Sequence, residues 1–195
     1  MTDERLLNRA SRGDEAAFLQ LYERHRDAVF RFAYRLLGSP ALAEDITHDC
    51  FLSLLRQPSK FDSSRASLRT YLLAAARNLS SKHFRHAGPE VTIEELAEEL
   101  RVPEAAEPLR QLLDEELSSE VQRAVESLPP LQREALVLFE FEELSLSEIA
   151  AVVGADVGTV KARLHRARQR LRRILSPYLS SSREPFVVEE AFNER

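Results

Sequence analysis

Seven Lys or Arg side chains are concentrated in residues 157–175, a stretch that holds no Asp or Glu. Such a stretch attracts anions, above all the phosphates of a nucleic acid. Helical periodicity turns Gly158, Thr159 and Ala162 outward at its start. Small residues at the start of a helix allow it to approach base edges closely, and basic residues farther along can bind phosphate. This combination is typical of a helix that recognises DNA. The alternative is a solvated basic helix that faces a membrane or a protein partner.

The residues before this stretch favour DNA, because they predict a helix-turn-helix. Ser145 and Glu148 have the spacing of a capping box, which starts a first helix near Leu146. Gly154 can end that helix in the left-handed conformation, and Asp156 can cap the second. Apolar residues recur with a helical period along one side of the second helix, at positions 157, 160, 164, 167, 171, 174 and 175. This context makes duplex DNA the predicted ligand.

A second set of recognition residues lies in residues 61–85. The helix predicted over residues 67–84 and the loop before it combine cations and an amide with aromatic rings: Phe61, Arg69, Tyr71, Arg77, Asn78, Lys82 and Arg85. We call these seven residues the strand-reading set. Cations interleaved with rings suit an unpaired nucleic acid strand, because bases stack on rings while cations bind phosphate. Taken singly, each ring is better explained as a core side chain.

The helix predicted over residues 41–56 has a mixed polar face. Its apolar stripe includes Cys50, which is therefore expected to be inert core. The opposite side is expected to carry five residues: Asp45, His48, Asp49, Leu52 and Arg56. A leucine among charged neighbours suggests a surface that contacts another molecule, although one exposed leucine alone needs no explanation. A histidine alone does not predict a metal site, because no other ligands accompany His48.

The composition predicts a mainly helical chain of one or two domains, with 195 residues, five glycines and no tryptophan. The single cysteine argues against an internal disulfide and suits a reducing, cytoplasmic setting. The N-terminus is too charged for a signal peptide, and no apolar run approaches the length of a membrane span, so no membrane insertion is expected. No nucleophile–base constellation, metal-ligand cluster or phosphate-binding glycine loop is visible. We therefore expect no catalytic residue, no metal and no cofactor.

The distribution of charge divides the chain into segments, although its net charge is −5. Residues 87–117 hold ten acidic and two basic residues, and residues 184–195 hold four and one. The segments before each of them lean basic, so the net charge does not exclude DNA. We predict an all-α protein with two small helical domains joined by an acidic linker. Its parts are an N-terminal block (1–86), the linker (87–117), a C-terminal block (118–178) and an acidic tail (179–195).

Four segments together resemble the extracytoplasmic-function sigma factors, small promoter-specificity subunits of bacterial RNA polymerase. The segments are AEDITHDCFL at 43–52, SLRTYLLAAARN at 67–78, SLPPLQREALVL at 127–138 and VGTVKARLHRARQRL at 157–171. All four occur in the order and with the spacing of that family. The family usually has glutamine at the position of His48 and often tryptophan at that of Tyr71.

The resemblance implies a role for each block. The N-terminal block is expected to bind the clamp of core RNA polymerase and to open the −10 promoter element with the strand-reading set. The clamp would be met by the polar side of the helix at 41–56, which we call the clamp face: Asp45, His48, Asp49, Leu52 and Arg56. The C-terminal block is expected to bind the −35 element as duplex through five residues, the duplex-reading set: Thr159, Lys161, Arg163, Arg166 and Arg170. The arginines at 168–173 are expected to bind DNA phosphates or to face the polymerase. The acidic linker is expected in the RNA exit path.

The implied partners are core RNA polymerase, promoter DNA and an anti-sigma factor, and the implied role is a non-catalytic specificity subunit. The alternative is a stand-alone helix-turn-helix regulator whose N-terminal block senses a signal or dimerises. A regulator of that kind does not need the strand-reading set, which therefore favours the sigma factor.

Overall fold

The computed structural model describes residues 1–87 and 118–181, with side chains in 1–82 and 120–176. Every regular element in these ranges is helical, which confirms the predicted all-α class. We label the α-helices in chain order: α1 (Asp3–Ala10), α2 (Glu15–Leu37), α3 (Pro40–Arg56), α4 (Leu68–Ala87), α5 (Ser118–Glu126), α6 (Pro130–Leu136), α7 (Leu146–Val153) and α8 (Val157–Ser181). The acidic linker from residue 88 and the tail from residue 182 lie outside the described residues.

Local sequence signals set the ends of the long N-terminal helices. The Asp14 carboxylate accepts from Ala17 N at 3.0 Å and caps α2, which ends at Gly38 with a φ of 69°. Ser39 then caps α3, and Pro40 occupies its first turn, where the missing N–H costs nothing. A 3₁₀ turn over Pro58–Lys60 follows α3. The helix predicted over residues 41–56 thus differs from α3 by one residue, because caps act locally.

The first four helices enclose an apolar core centred on α2. Phe32 and Leu36 of α2, Phe51 of α3 and Leu72 of α4 are almost fully buried. Cys50 belongs to this core, and burial raises the pKa of its thiol to about 12, so the prediction of an inert cysteine is confirmed.

The second core lies among α5, α6 and α8, with α7 packed on one side. Leu136 and Leu138 are fully buried in it, as are Ile149 of α7 and Val160 of α8. After α6 the chain continues as a π-helical turn over Val137–Phe141. Glu143 follows with a φ of 56°, a backbone conformation that residues other than glycine adopt rarely.

The two blocks pack against each other, and one continuous set of buried apolar side chains extends through both. Helix α2 contacts α5 and α6, and α4 contacts α7. The predicted boundaries of the blocks stay a prediction. Among the described residues, no helix is both long enough and apolar enough to cross a bilayer.

Candidate nucleic-acid interface

The predicted helix-turn-helix is confirmed in its local geometry. Ser145 N donates to Glu148 Oε2 at 3.0 Å, and Glu148 N donates to Ser145 Oγ at 3.3 Å, so both halves of the capping box form. Gly154 ends α7 with a φ of 65°. Asp156 caps α8, accepting from Thr159 N at 2.8 Å and from the Thr159 hydroxyl at 2.6 Å. The turn between the helices is therefore held at both of its ends.

These caps stabilise the ionised carboxylates. Hydrogen bonds from Thr159 lower the pKa of Asp156, and hydrogen bonds from Ser145 lower that of Glu148. Both groups stay charged at neutral pH, where the negative charge also suits a helix N-terminus.

The apolar side of α8 differs from the predicted stripe at three positions. Val160, Leu164 and the apolar residues at 167, 171 and 175 are buried as expected. Val157 and Ile174 are instead 37% and 42% exposed, and Ala162, predicted to face outward, is only 6% exposed. Three helices, α5, α6 and α7, contact α8. Periodicity predicts which side of a helix is buried. It does not predict how much of the helix surface several neighbouring helices cover, either around the helix or along it.

The duplex-reading set lies along α8 with unequal exposure. Lys161 is exposed, whereas Thr159, Arg163, Arg166 and Arg170 are half-buried. The Thr159 hydroxyl is already used in the cap. The charge of Arg163 lies close enough to lower the pKa of Glu134. Lys161 is thus the member of the set whose side chain is most accessible to DNA.

Arg168, one of the basic residues predicted to contact phosphate or the polymerase, forms an ion pair within the C-terminal block. Its Nη2 donates to Glu140 Oε1 at 2.7 Å, and its guanidinium lies 5.1 Å from the centroid of the Phe139 ring. The side chain is only 16% exposed. Arg168 therefore joins α8 to the π-helical turn, where the buried Glu140 carboxylate needs a cation nearby. Its contact with phosphate or the polymerase stays a prediction. Arg172 and Arg173 are exposed.

The clamp face is exposed at all five predicted positions. Leu52, with 46% of its surface accessible, lies among the charged members of the face. A shallow groove continues from Asp49, Leu52 and Arg56 to Tyr71 and Asn78 of α4. The fold thereby places the clamp face directly beside part of the strand-reading set, which the sequence did not predict.

Four members of the strand-reading set present rings or polar groups to solvent. The rings of Phe61 and Tyr71 meet edge to face with centroids 5.6 Å apart, and both are half-buried. Burial raises the pKa of the Tyr71 phenol. Asn78 and Lys82 are exposed on α4. The side chain of Arg85, the last member, lies outside the described residues.

The two remaining members of the set, Arg69 and Arg77, point to the C-terminal block. Arg69 Nη2 donates to Glu142 Oε2 at 2.6 Å, and Arg69 Nη1 donates to the Glu142 carbonyl at 2.7 Å. Arg77 Nε forms an ion pair with Glu134. Neither carboxylate was predicted from the sequence. An acidic residue inside the apolar helix that follows Pro130 was the available signal for Glu134, since buried carboxylates need a cation nearby.

Burial controls the electrostatics of these carboxylates. Glu142 is fully buried and Glu134 is 6% exposed, and in each case burial raises the pKa while the arginines oppose the rise. Arg35 of α2 lies 3.7 Å from Glu142 Oε1, and its guanidinium lies 4.3 Å from the centroid of the Phe141 ring. Burial lowers the pKa of Arg35. Ion pairs therefore accompany the apolar packing between the blocks.

Two family models match the chain in order. The Sigma-70 region 2 model matches residues 21–90, and the Sigma-70 region 4 model matches residues 118–171. The chain is similar to the ECF RNA polymerase sigma factor SigE of Mycolicibacterium smegmatis, with 37% identity over 175 residues, 87% of this chain and 67% of that protein. It is also similar to SigW of Bacillus subtilis, with 32% identity over 183 residues, 90% of this chain and 97% of that protein.

A solved structure has a similar fold. The sigma factor RpoE, co-crystallised with the anti-sigma factor NepR from Bartonella quintana, aligns with a TM-score of 0.63 and 26% identity. The alignment covers 82% of this chain and 96% of that one.

Proposed function

The chain belongs to the extracytoplasmic-function sigma factors, and on that premise we propose that its two blocks divide promoter recognition between them. It directs core RNA polymerase to specific promoters and initiates DNA-templated transcription there. The N-terminal block, residues 1–86, binds the polymerase and opens the −10 element. The C-terminal block, residues 118–178, reads the −35 element as duplex. The polymerase supplies the catalysis, and this chain acts as a non-catalytic specificity subunit in the cytoplasm.

Polymerase contact is assigned to the clamp face. Its five side chains are exposed together on α3, while the opposite side of that helix is buried in the N-terminal core. An exposed leucine ringed by charged groups has the composition of an interface centre with a polar rim. Asp45, Asp49 and Arg56 then provide orientation, and Leu52 provides apolar contact.

Binding of the opened strand is assigned to α4 and the loop before it. Tyr71 and Phe61 offer ring faces for stacked bases, Asn78 offers hydrogen bonds, and Lys82 and Arg85 offer charge for phosphates. The groove that joins Tyr71 and Asn78 to the clamp face supports this assignment, because a strand bound along it would lie next to a polymerase bound at the clamp face. Arg69 and Arg77 complete the set once they are released from the C-terminal block.

Duplex recognition is assigned to α8. Lys161 is exposed near its N-terminus, where a helix in a major groove contacts base edges. Arg163, Arg166 and Arg170 follow on the same helix and supply contacts to bases or phosphates. The Thr159 hydroxyl keeps the helix start capped and stays close to the DNA.

The partners proposed for this chain are core RNA polymerase, promoter DNA and an anti-sigma factor. The anti-sigma partner is inferred from the RpoE relative, whose structure was solved with NepR. The polymerase partner follows from membership of the family.

One observation carries the proposed division of roles: exposed candidate recognition residues lie on two separate parts of the fold, one on α8 and one on α3 and α4. A stand-alone regulator needs only the first. Run-off transcription with purified core polymerase tests the proposal on a library of promoter fragments. We expect specific transcripts only when both proteins are present. Tight, sequence-specific duplex binding by this chain alone, without transcripts, would favour the regulator.

A further inference from the structure

His48 is an exposed member of the clamp face whose ring is held in place by a neighbouring helix. The imidazole of His48 on α3 and the ring of Tyr22 on α2 are parallel to within 6°, with centroids 6.4 Å apart. This separation lies within the range of attractive ring pairs. Tyr22 in turn meets the Phe51 ring edge to face, with centroids 4.8 Å apart, so the stack is anchored on the N-terminal core. His48 is therefore a positioned side chain, although it stays open to solvent.

The stacked pair lines a cleft between α2 and α3. In the described part of the chain, the charged residues that line this cleft together with His48 are Arg26 and Asp27 of α2 and Glu44 of α3. Two more carboxylates, those of Asp45 and Asp49, lie within one turn of His48 on its own helix. The charges that face the imidazole thus come from α2 as well as from α3.

The cation of the cleft is already engaged, whereas three of the carboxylates are not. Arg26 Nε lies 3.3 Å from Asp27 Oδ1, and the Arg26 guanidinium lies 5.9 Å from the centroid of the Tyr22 ring. Glu44, Asp45 and Asp49 are exposed and form no ion pair within the residues that the structure describes. Charged groups at protein interfaces face groups of opposite charge. A polymerase bound at the clamp face is therefore expected to present a Lys or Arg side chain here.

We infer that His48 contacts a basic side chain of the polymerase, and that it does so only as the neutral imidazole. This inference rests on the polymerase contact proposed for the clamp face. A neutral imidazole has a nitrogen that accepts a hydrogen bond from an ammonium or guanidinium group, whereas an imidazolium only donates. Protonation removes this acceptor and places a positive charge beside the cation of the partner. One residue thereby makes the affinity of this chain for the polymerase sensitive to pH.

The charges around His48 set the direction of the pH effect. Histidine is the side chain that ordinarily changes charge near neutral pH. As the pH falls, His48 gains a charge that repels the cation of the partner and attracts its own neighbours Asp45 and Asp49. Those carboxylates are then partly neutralised from within the chain and attract the partner less. Both effects disappear once the proton is lost, so acid weakens the contact.

The affinity for core polymerase, measured as a function of pH, tests this inference. The whole chain carries a rhodamine label at Asn8→Cys, an exposed position on α1, while Cys50 is too buried to react. Fluorescence anisotropy then gives the Kd between about pH 6 and pH 8. The measurement is made at low ionic strength, where exposed charges act most strongly.

His48→Gln is the diagnostic variant, because glutamine keeps an acceptor and does not gain a proton in this range. At pH 8 its affinity should lie within about twofold of that of the unaltered chain, and at pH 6 it should bind about fivefold more tightly. The ratio of the two affinities removes any titration of the polymerase itself. His48→Arg carries a permanent charge, so it should bind about fivefold more weakly than His48→Gln at both ends of the range.

His165→Gln is the matched control, because it makes the same substitution at a histidine of α8, outside the clamp face. It should retain the pH dependence of the unaltered chain, and loss of that dependence would place its cause elsewhere and overturn the inference.

The inference is also overturned if the affinity ratio of the unaltered chain and His48→Gln is the same at pH 6 and pH 8, or if His48→Arg binds as tightly as the unaltered chain at pH 8. Where His48→Gln lowers the melting temperature, His48→Arg at pH 8 decides. A chain that binds the polymerase at no pH overturns the proposed function itself, a failure distinct from a pH profile that His48 does not control.

Discussion

Arg168 and Glu140 form a salt bridge of 2.7 Å inside the C-terminal block, and their side chains are 16% and 6% exposed. The pair joins α8 to the π-helical turn. Arg168, one of the seven Lys and Arg residues of α8, thereby packs inside the block. The Lys and Arg side chains of α8 that are exposed lie at different positions along the helix. Lys161 lies near its start, and Arg172 and Arg173 lie farther along.

Replacing Lys161 by Ala should weaken promoter recognition. Loss of a base contact is expected to cost roughly 1–3 kcal/mol on the cognate promoter, and much less on unrelated duplexes. Arg172→Ala should instead weaken binding to all duplexes alike and reduce the salt dependence. The check is a comparison of holoenzyme affinity on cognate and scrambled −35 elements. Equal losses on both by Lys161→Ala would contradict base reading.

Replacing Leu52 by Asp should weaken the complex with core polymerase by about 1–2 kcal/mol, roughly tenfold, since a charge would enter the apolar centre of the interface. Leu19→Asp is a suitable control, because Leu19 is 54% exposed on α2, outside the clamp face. Both variants should keep the melting temperature of the unaltered chain. The affinities can be measured by fluorescence anisotropy with labelled chain. An equal loss in both variants would remove Leu52 from the assigned interface.

Replacing Tyr71 by Ala should impair promoter opening by the holoenzyme. Each stacked base is worth about 1–3 kcal/mol, and alanine cannot stack. Tyr71→Phe keeps the ring and its edge-to-face contact with Phe61, so it should open promoters almost normally. Permanganate footprinting of unpaired thymines around the −10 element measures opening. A promoter premelted by mismatches should restore part of the activity of Tyr71→Ala. Normal opening by that variant would argue against stacking.

The helix-turn-helix should lose stability in acid. Hydrogen bonds hold the pKa values of Asp156 and Glu148 below their usual values. The two carboxylates therefore stabilise the folded state fully at a pH above their usual pKa values. This stabilisation is lost as the pH falls through the lowered pKa values of the folded state. Asp156→Asn/Glu148→Gln should have a lower melting temperature at pH 6 and a smaller further decrease between about pH 5 and pH 3. Thermal melts across this range measure both. Glu4→Gln, at an exposed site on α1, is the control for the loss of a carboxylate outside the helix-turn-helix.

Local sequence signals predicted the helices and their ends well, because their causes are local. The Ser145 and Glu148 capping box, the glycine at 154 and the Asp156 cap all act within one helical turn, and all are present. The exposed side of α3 followed from periodicity alone, since one neighbouring core covers its other side. The same method misplaced Ala162, because several helices surround α8 and widen the covered arc.

The sequence by itself thus determined the helical elements, the turn of the helix-turn-helix, the inert Cys50 and the family to which the chain belongs. Only the tertiary structure decided which charges meet. Arg69 and Glu142 are 73 residues apart, and Arg77 and Glu134 are 57 apart, so no local pattern relates them. A carboxylate in an apolar helix must find a cation when it is buried, and the packing of α4 against the C-terminal block chooses which one. For this reason the sequence predicts which Lys and Arg residues are candidates for contact with DNA. The fold decides which of them already form ion pairs within the protein.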